Sequence, residues 1–239
     1  MTQGGSDPST WFSPPSRPPA ACRDPFLNYG GKDARLRVIP AVRKKLQSNP
    51  NGVYINCTTS GRKAGSHLLS PFRLGPCHLY GDITSQNMEN AWQYSKVFKP
   101  FVGTDGKPTA EYFKWAQLGW SSCKAKRHPM GNGTKSIFHW WDGQRLDKVE
   151  ARKRIYVPLY VEQVVKERNF QFLKSIWEED IKPDAESTLY LMDYDAYEYG
   201  TMSLSEVLNN PAKSMGHGFV LAMLLTNDAA LQECELRPS

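Results

Sequence analysis

Residues 87–98 read NMENAWQYSKVF, and the fold turns on how this stretch is read. Taken as a helix turning about 100° per residue, it places Glu89, Gln93 and Lys96 within about 40° of a common direction. Met88 and Trp92 flank that stripe on one side, and Ala91, Tyr94 and Phe98 lie broadly opposite. Apolar residues on both sides of a polar stripe predict a buried helix. A buried Glu and Lys must pair with each other or meet something in a cavity. The same three residues also fit a solvated helix face, so the stripe alone leaves both readings open.

Working outward, VYINCTTS (53–60) is β-branched and aromatic and predicts a strand. RLRVIPAVRKKLQ, upstream of it, predicts a short basic helix interrupted at Pro40. LLSPFRLGPCHLYGD (68–82) predicts two short extended pieces around turns. AEYFKWAQLGW (110–120) predicts a second, aromatic-rich helix, 121–135 a basic, Gly-rich surface loop, and FHWWDG (138–143) an aromatic turn. LDKVEARKRIYVPLYVEQVVKE (146–167) predicts a long helix broken or kinked near Pro158, continued through NFQFLKSIWEE. STLYLMDYD (187–195) is the best strand candidate of the C-terminal half. SLSEVLNN predicts a short helix with Ser203 as N-cap and Glu206 three residues on. An apolar helix over 218–226 follows. The expected fold class is α+β, mainly α with a few short strands, in one domain over 36–239 with its core at about 50–230.

Residues 1–35 carry Pro8, Pro14, Pro15, Pro18, Pro19 and Pro25 among Gly and Ser, which predicts a flexible leader without the apolar run of a secretory signal. The sequence has no run of about 18 apolar residues, so no membrane span is expected. The formal net charge of +6 fits ordinary solubility or an anionic partner such as a nucleotide or nucleic acid. Five cysteines, Cys22, Cys57, Cys77, Cys123 and Cys234, at wide irregular spacing and without a Cys-x-x-Cys pair, fit a reducing cytoplasm and predict neither disulfides nor zinc. The histidines are equally scattered, so no metal and no cofactor is expected.

In the order of its pieces the chain resembles the NADAR family, named for NAD and ADP-ribose. Ser70, Pro71 and Phe72 stand where the family has Ser-Asn-Phe, and Glu89, Gln93 and Lys96 match its E-x-x-x-Q-x-x-K helix in identity and spacing. Trp141 answers the Trp that opens the family's next helix. Asp193 or Asp195 answers a late acid, and Gly216, Gly218 and Leu221 a closing turn and helix. The match runs over residues 65–226, as a divergent member. Pro71 replaces the family's Asn, His217 sits where Asn is frequent, the Trp-Gly pair after the acid is missing, and 121–136 is long.

The resemblance implies an N-glycosidase acting on ADP-ribosylated guanine in nucleic acid or on a ribosylamino-pyrimidine phosphate. Cleaving C1′–N passes through an oxocarbenium-like transition state, by analogy with O-glycosides. It needs a carboxylate near C1′ and a proton for the departing nitrogen. Glu89 then serves as the carboxylate, and Lys96 as the proton donor or as a Schiff-base nucleophile. Asp195 binds ribose hydroxyls or assists as a second acid, and Gln93 holds a hydroxyl or the base. Trp92 and Trp141 stack on a ring, or equally fill the core. Ser70 and Phe72 join the binding set through the family match. Arg127, with Lys126, contacts phosphates or belongs to a solvated loop, and Gly216 and His217 approach the ligand or form a simple turn. Two rival readings are a non-catalytic ADP-ribose or nucleotide binder and a nucleic-acid interaction protein using the basic loop.

Overall fold

The computed structural model describes residues 35–41 and 49–237, and the Pro-rich leader read over 1–35 lies outside them except for Arg35. STLYLMDYD supplies β8 (Thr188–Asp193), the middle strand of a parallel three-stranded sheet. Its neighbours are β1 (Leu36–Pro40) and β2 (Gly52–Asn56), in the order β1–β8–β2. The register aligns Leu36 with Leu189 and Val53, and Val38 with Leu191 and Ile55. Leu36, Val38, Ile55, Leu189 and Leu191 are buried.

β1 corrects the expected basic helix. Its residues alternate buried and half-buried, as a strand requires. Pro40 is tolerated because β1 is an edge strand and Pro40 is its last residue. Residues 42–47 of that predicted helix lie outside the described residues. The core therefore begins at Leu36 rather than near residue 50.

The stretch 87–98 splits into two elements. α1 (Met88–Tyr94) starts at Asn87, whose side chain accepts from the Asn90 amide. It ends at Ser95, whose hydroxyl donates to the Trp92 carbonyl. β5 (Lys96–Phe98) follows and pairs antiparallel with β6 (Ser136–Trp141). The predicted helix through Phe98 is thus corrected, because Val97 and Phe98 extend and bury against the core. β6 turns into β7 (Gln144–Leu146) through Asp142 and Gly143, at φ 45° and 75°. Two consecutive positive φ values make this a two-residue hairpin, where an aromatic turn was expected. Two-residue strands β3 (Cys77–His78) and β4 (Thr84–Ser85) pair with each other; only β3 falls within 68–82, where two extended pieces were expected, and that stretch begins in the end of a 3-10 turn, Lys63–Leu69.

α2 (Ala110–Trp120) packs on α1 where Gly119 meets Tyr94; a Cβ there would stand 2.1 Å from the tyrosine ring. α3 (Lys148–Ala151) runs through a π turn, Arg152–Tyr156, into α4 (Val157–Val164). Pro158 therefore does not break the helix. The wider turn ahead of it takes up the lost N–H and the ring's bulk. α5 (Arg168–Ser175) passes into a second π turn, Ile176–Ile181. α6 (Leu204–Leu208) carries the expected capping box between Ser203 and Glu206. α7 (His217–Thr226) is buried nearly all round and packs on the sheet through Gly218, where a Cβ would lie 2.9 Å from Val38. The architecture is a mixture of helices and small sheets, and among the described residues no helix is long and apolar enough to cross a membrane.

Candidate active site

A cavity of about 110 Å³, open to solvent, lies beyond the carboxyl ends of β2 and β8. In parallel sheets this is the usual place for a ligand, because loops leaving adjacent strand ends diverge there. Thr58 and Thr59 come from the loop after β2, and Asp193, Tyr194 and Asp195 from the end of β8. α1 forms the facing wall with Glu89, Trp92 and Gln93. Ser70, Pro71 and Phe72 close one side, Met215, Gly216 and His217 another. Arg127 reaches in from the basic loop and Tyr156 from the π turn.

On the α1 wall three side chains form one chain of hydrogen bonds. Gln93 Nε2 donates to Glu89 Oε1 at 2.9 Å, and Lys96 Nζ donates to Gln93 Oε1 at 2.7 Å. The amide orientation follows from its neighbours: a lysine only donates, so Gln93 must present its oxygen there and its NH₂ to the carboxylate. Lys96 reaches Gln93 from β5 rather than from a second helical turn, and its ammonium lies 5.2 Å from the centre of the Trp92 ring. Burial raises the Glu89 carboxyl above its ordinary value against the pull of Gln93, Lys96 and Arg127. Burial also lowers the Lys96 amine to about 8, opposed by Glu89 and Asp195. Lys96 stands behind this wall and does not line the cavity.

The α7 wall is built differently. Asp193, 3% exposed, accepts from the Gly218 amide at 2.9 Å and faces His217 Nδ1 at 3.2 Å. His217 Nε2 lies 2.8 Å from the Cys57 carbonyl. A Cβ on Gly216 would come within 2.0 Å of Asp193 Oδ2. The Gly-His-Gly turn thus wraps a buried carboxylate. His217 lines the cavity, but both its ring nitrogens are committed to oxygens of the fold.

Across the mouth, Arg127 Nη2 meets Asp195 Oδ2 at 2.9 Å, and the guanidinium lies 5.4 Å from the centre of the Tyr194 ring. Arg127 is carried by a loop that buried Asn90 ties to α1. Asn90 Nδ2 donates to the carbonyls of Gly119, Ser122 and Lys124, and its Oδ1 accepts from the Lys126 amide. That amide is consequently not free for a phosphate. Trp141 is the expected ring-stacking residue that the fold places elsewhere: it is buried, edge-on to Tyr80 at 4.8 Å, and does not line the cavity. It ends β6 with its side chain turned inward, so it belongs to the hairpin's core.

Thr58, Thr59 and Tyr156 are lining residues that motif reading missed. For the two threonines the signal is topological, since they follow a parallel strand, and it needs the sheet order to be visible. Among the described residues no group of His, Cys, Asp or Glu could hold a metal ion. Comparison with protein-family models, with curated proteins and with solved structures returns no match.

Proposed function

We propose that the cavity is the site of an N-glycosidase that hydrolyses the C1′–N bond of a ribosylated or ADP-ribosylated compound, as the resemblance to the NADAR family implies. The observation that carries this reading is the Glu89–Gln93–Lys96 chain on a wall of a cavity that also holds Asp195, Arg127 and aromatic rings. Glu89 is desolvated, fixed by one hydrogen bond and facing the cavity. It stabilises positive charge at C1′ and orients the attacking water as C1′–N breaks. Lys96, with an amine at about 8, is mainly ammonium at neutral pH. It polarises Gln93 and, by rotating past Trp92, delivers the proton to the leaving nitrogen. Asp195 and Ser70 bind ribose hydroxyls, Trp92 and Phe72 stack on the base, and Arg127 faces a phosphate.

Incubation with ADP-ribosylated guanine DNA, NAD, ADP-ribose and ribosylamino-pyrimidine phosphates, read by mass spectrometry, tests the reaction. Release of base by the wild type, lost in Glu89→Gln and Lys96→Ala, is the expected result. Full activity in both variants refutes the mechanism. A second reading, a binder of ADP-ribose or nucleotide without chemistry, draws on the position of the Lys96 amine behind the cavity wall. It predicts ligand-induced thermal stabilisation with no product.

A further inference from the structure

Tyr156 lines the cavity but has no part in the proposed reaction. It is only 6% exposed and ends the π turn Arg152–Tyr156, a type of irregularity common at functional sites. Two other buried tyrosines are satisfied by the main chain: Tyr160 donates to the Leu69 carbonyl at 2.7 Å, and Tyr112 to the Tyr94 carbonyl at 3.0 Å. The Tyr156 hydroxyl makes no hydrogen bond to the described residues and is not one of their fully buried, unpartnered polar atoms, so it opens onto the cavity. A donor that the fold leaves unclaimed at a cavity wall is available to whatever occupies the cavity.

The surroundings say what that something is. The charges acting on Tyr156 are those of Asp193, Glu89 and Asp195, opposed by Arg127, and all four residues line the cavity. Burial and these carboxylates hold the phenol well above its ordinary value, so it acts as a donor. Its ring is fixed between Trp92, 5.0 Å away, and Tyr160, at 6.4 Å and nearly parallel. An anionic group at this depth would meet three carboxylates. A neutral polyol fits instead: its hydroxyls donate to the carboxylates, and one of its oxygens accepts the single proton of the phenol.

We propose that Tyr156 is a substrate-contacting residue whose hydroxyl donates a hydrogen bond to an oxygen of a ribosyl ring seated against Glu89. The choice of a ribosyl ring rests on the N-glycosidase reading; the open donor does not.

Calorimetric titration with ADP-ribose, beside melting curves, tests this on the wild type, Tyr156→Phe and Tyr160→Phe. Tyr156→Phe keeps both ring contacts, so its melting temperature should hold or rise while ADP-ribose binding weakens about tenfold, the size of one hydrogen bond. Tyr160→Phe should melt earlier and bind as the wild type does. Equal affinity of Tyr156→Phe and wild type, or no binding of ADP-ribose by the wild type, overturns the proposal. ADP-ribose held through Tyr156 with nothing cleaved would uphold the contact and defeat the glycosidase. Cleavage of a ribosyl compound undiminished in Tyr156→Phe would do the reverse.

Discussion

The two walls of the cavity each carry a buried carboxylate, and they hold it in opposite ways. Asp193 on the α7 side is gripped by a backbone amide, a histidine and two glycines that leave no room for a Cβ. Glu89 on the α1 side is held by a single side-chain amide and is raised by burial. A carboxylate satisfied by backbone is part of the frame. One that is desolvated and only lightly bonded still has capacity for a ligand. On the proposed reading, the α7 wall is frame and the α1 wall carries the chemistry.

The sharpest way to break this contrast is Glu89→Gln. If the α1 wall carries the chemistry, this change lowers turnover by roughly 10³-fold or more, the scale of a lost charge-stabilising group. It also leaves the melting temperature unchanged or higher, because a buried charge disappears and Gln can still accept from Gln93. Gly216→Ala should do the opposite. The new methyl overlaps Asp193, so about 3 kcal/mol or more of stability is lost, read as a lowered denaturant midpoint.

Asn90→Ala probes the connection between α1 and the mouth. It removes four hydrogen bonds from a buried side chain, costing roughly 1–3 kcal/mol, and frees the loop that carries Arg127. KM for a phosphorylated substrate should rise while kcat changes little.

The smallest effect is a pH limb. If Lys96, at about 8, acts as ammonium in the proposed reaction, the rate should fall as pH rises through that value, and Lys96→Ala should abolish the limb. The proposed mechanism needs Glu89 ionised, so its acid limb should lie above the ordinary glutamate range, in the direction that burial moves it. Stability runs the opposite way. Burial lowers the folded amine below its unfolded value, so charged Lys96 weakens the fold below about pH 8, and that cost fades as pH rises towards the unfolded value.

What could be read without the structure follows from the range of each signal. α2, β8 and the Ser203–Glu206 capping box depend on neighbouring residues, and all three are legible. β1 is not, because the strand that pairs with it lies some 150 residues downstream in the chain and its own charges imitate a basic helix. The end of α1 at Tyr94 depends on β6, which no local pattern reveals. Asp142-Gly143 is a hairpin signal that the surrounding aromatics mask. In the site, Glu89 and Gln93 are legible because helical spacing is local, and Lys96 joins them by a different path than the one expected. The aromatic residues are the least legible. Trp141, expected at the ligand, is core, whereas Tyr156 drew no notice within a long helical stretch and lines the cavity. Which side of an apolar element faces a cavity is settled by packing partners distant in sequence.

The most direct test sets Glu89→Gln beside Asp193→Asn, measuring melting temperature and release of base from the panel substrate that the wild type cleaves. For Glu89→Gln, lost release at an unchanged melting temperature is expected. For Asp193→Asn, the expected result is a lowered melting temperature with release retained per folded molecule. Retained release in Glu89→Gln, or lost release at full stability in Asp193→Asn, would contradict the division of the two walls into chemistry and frame.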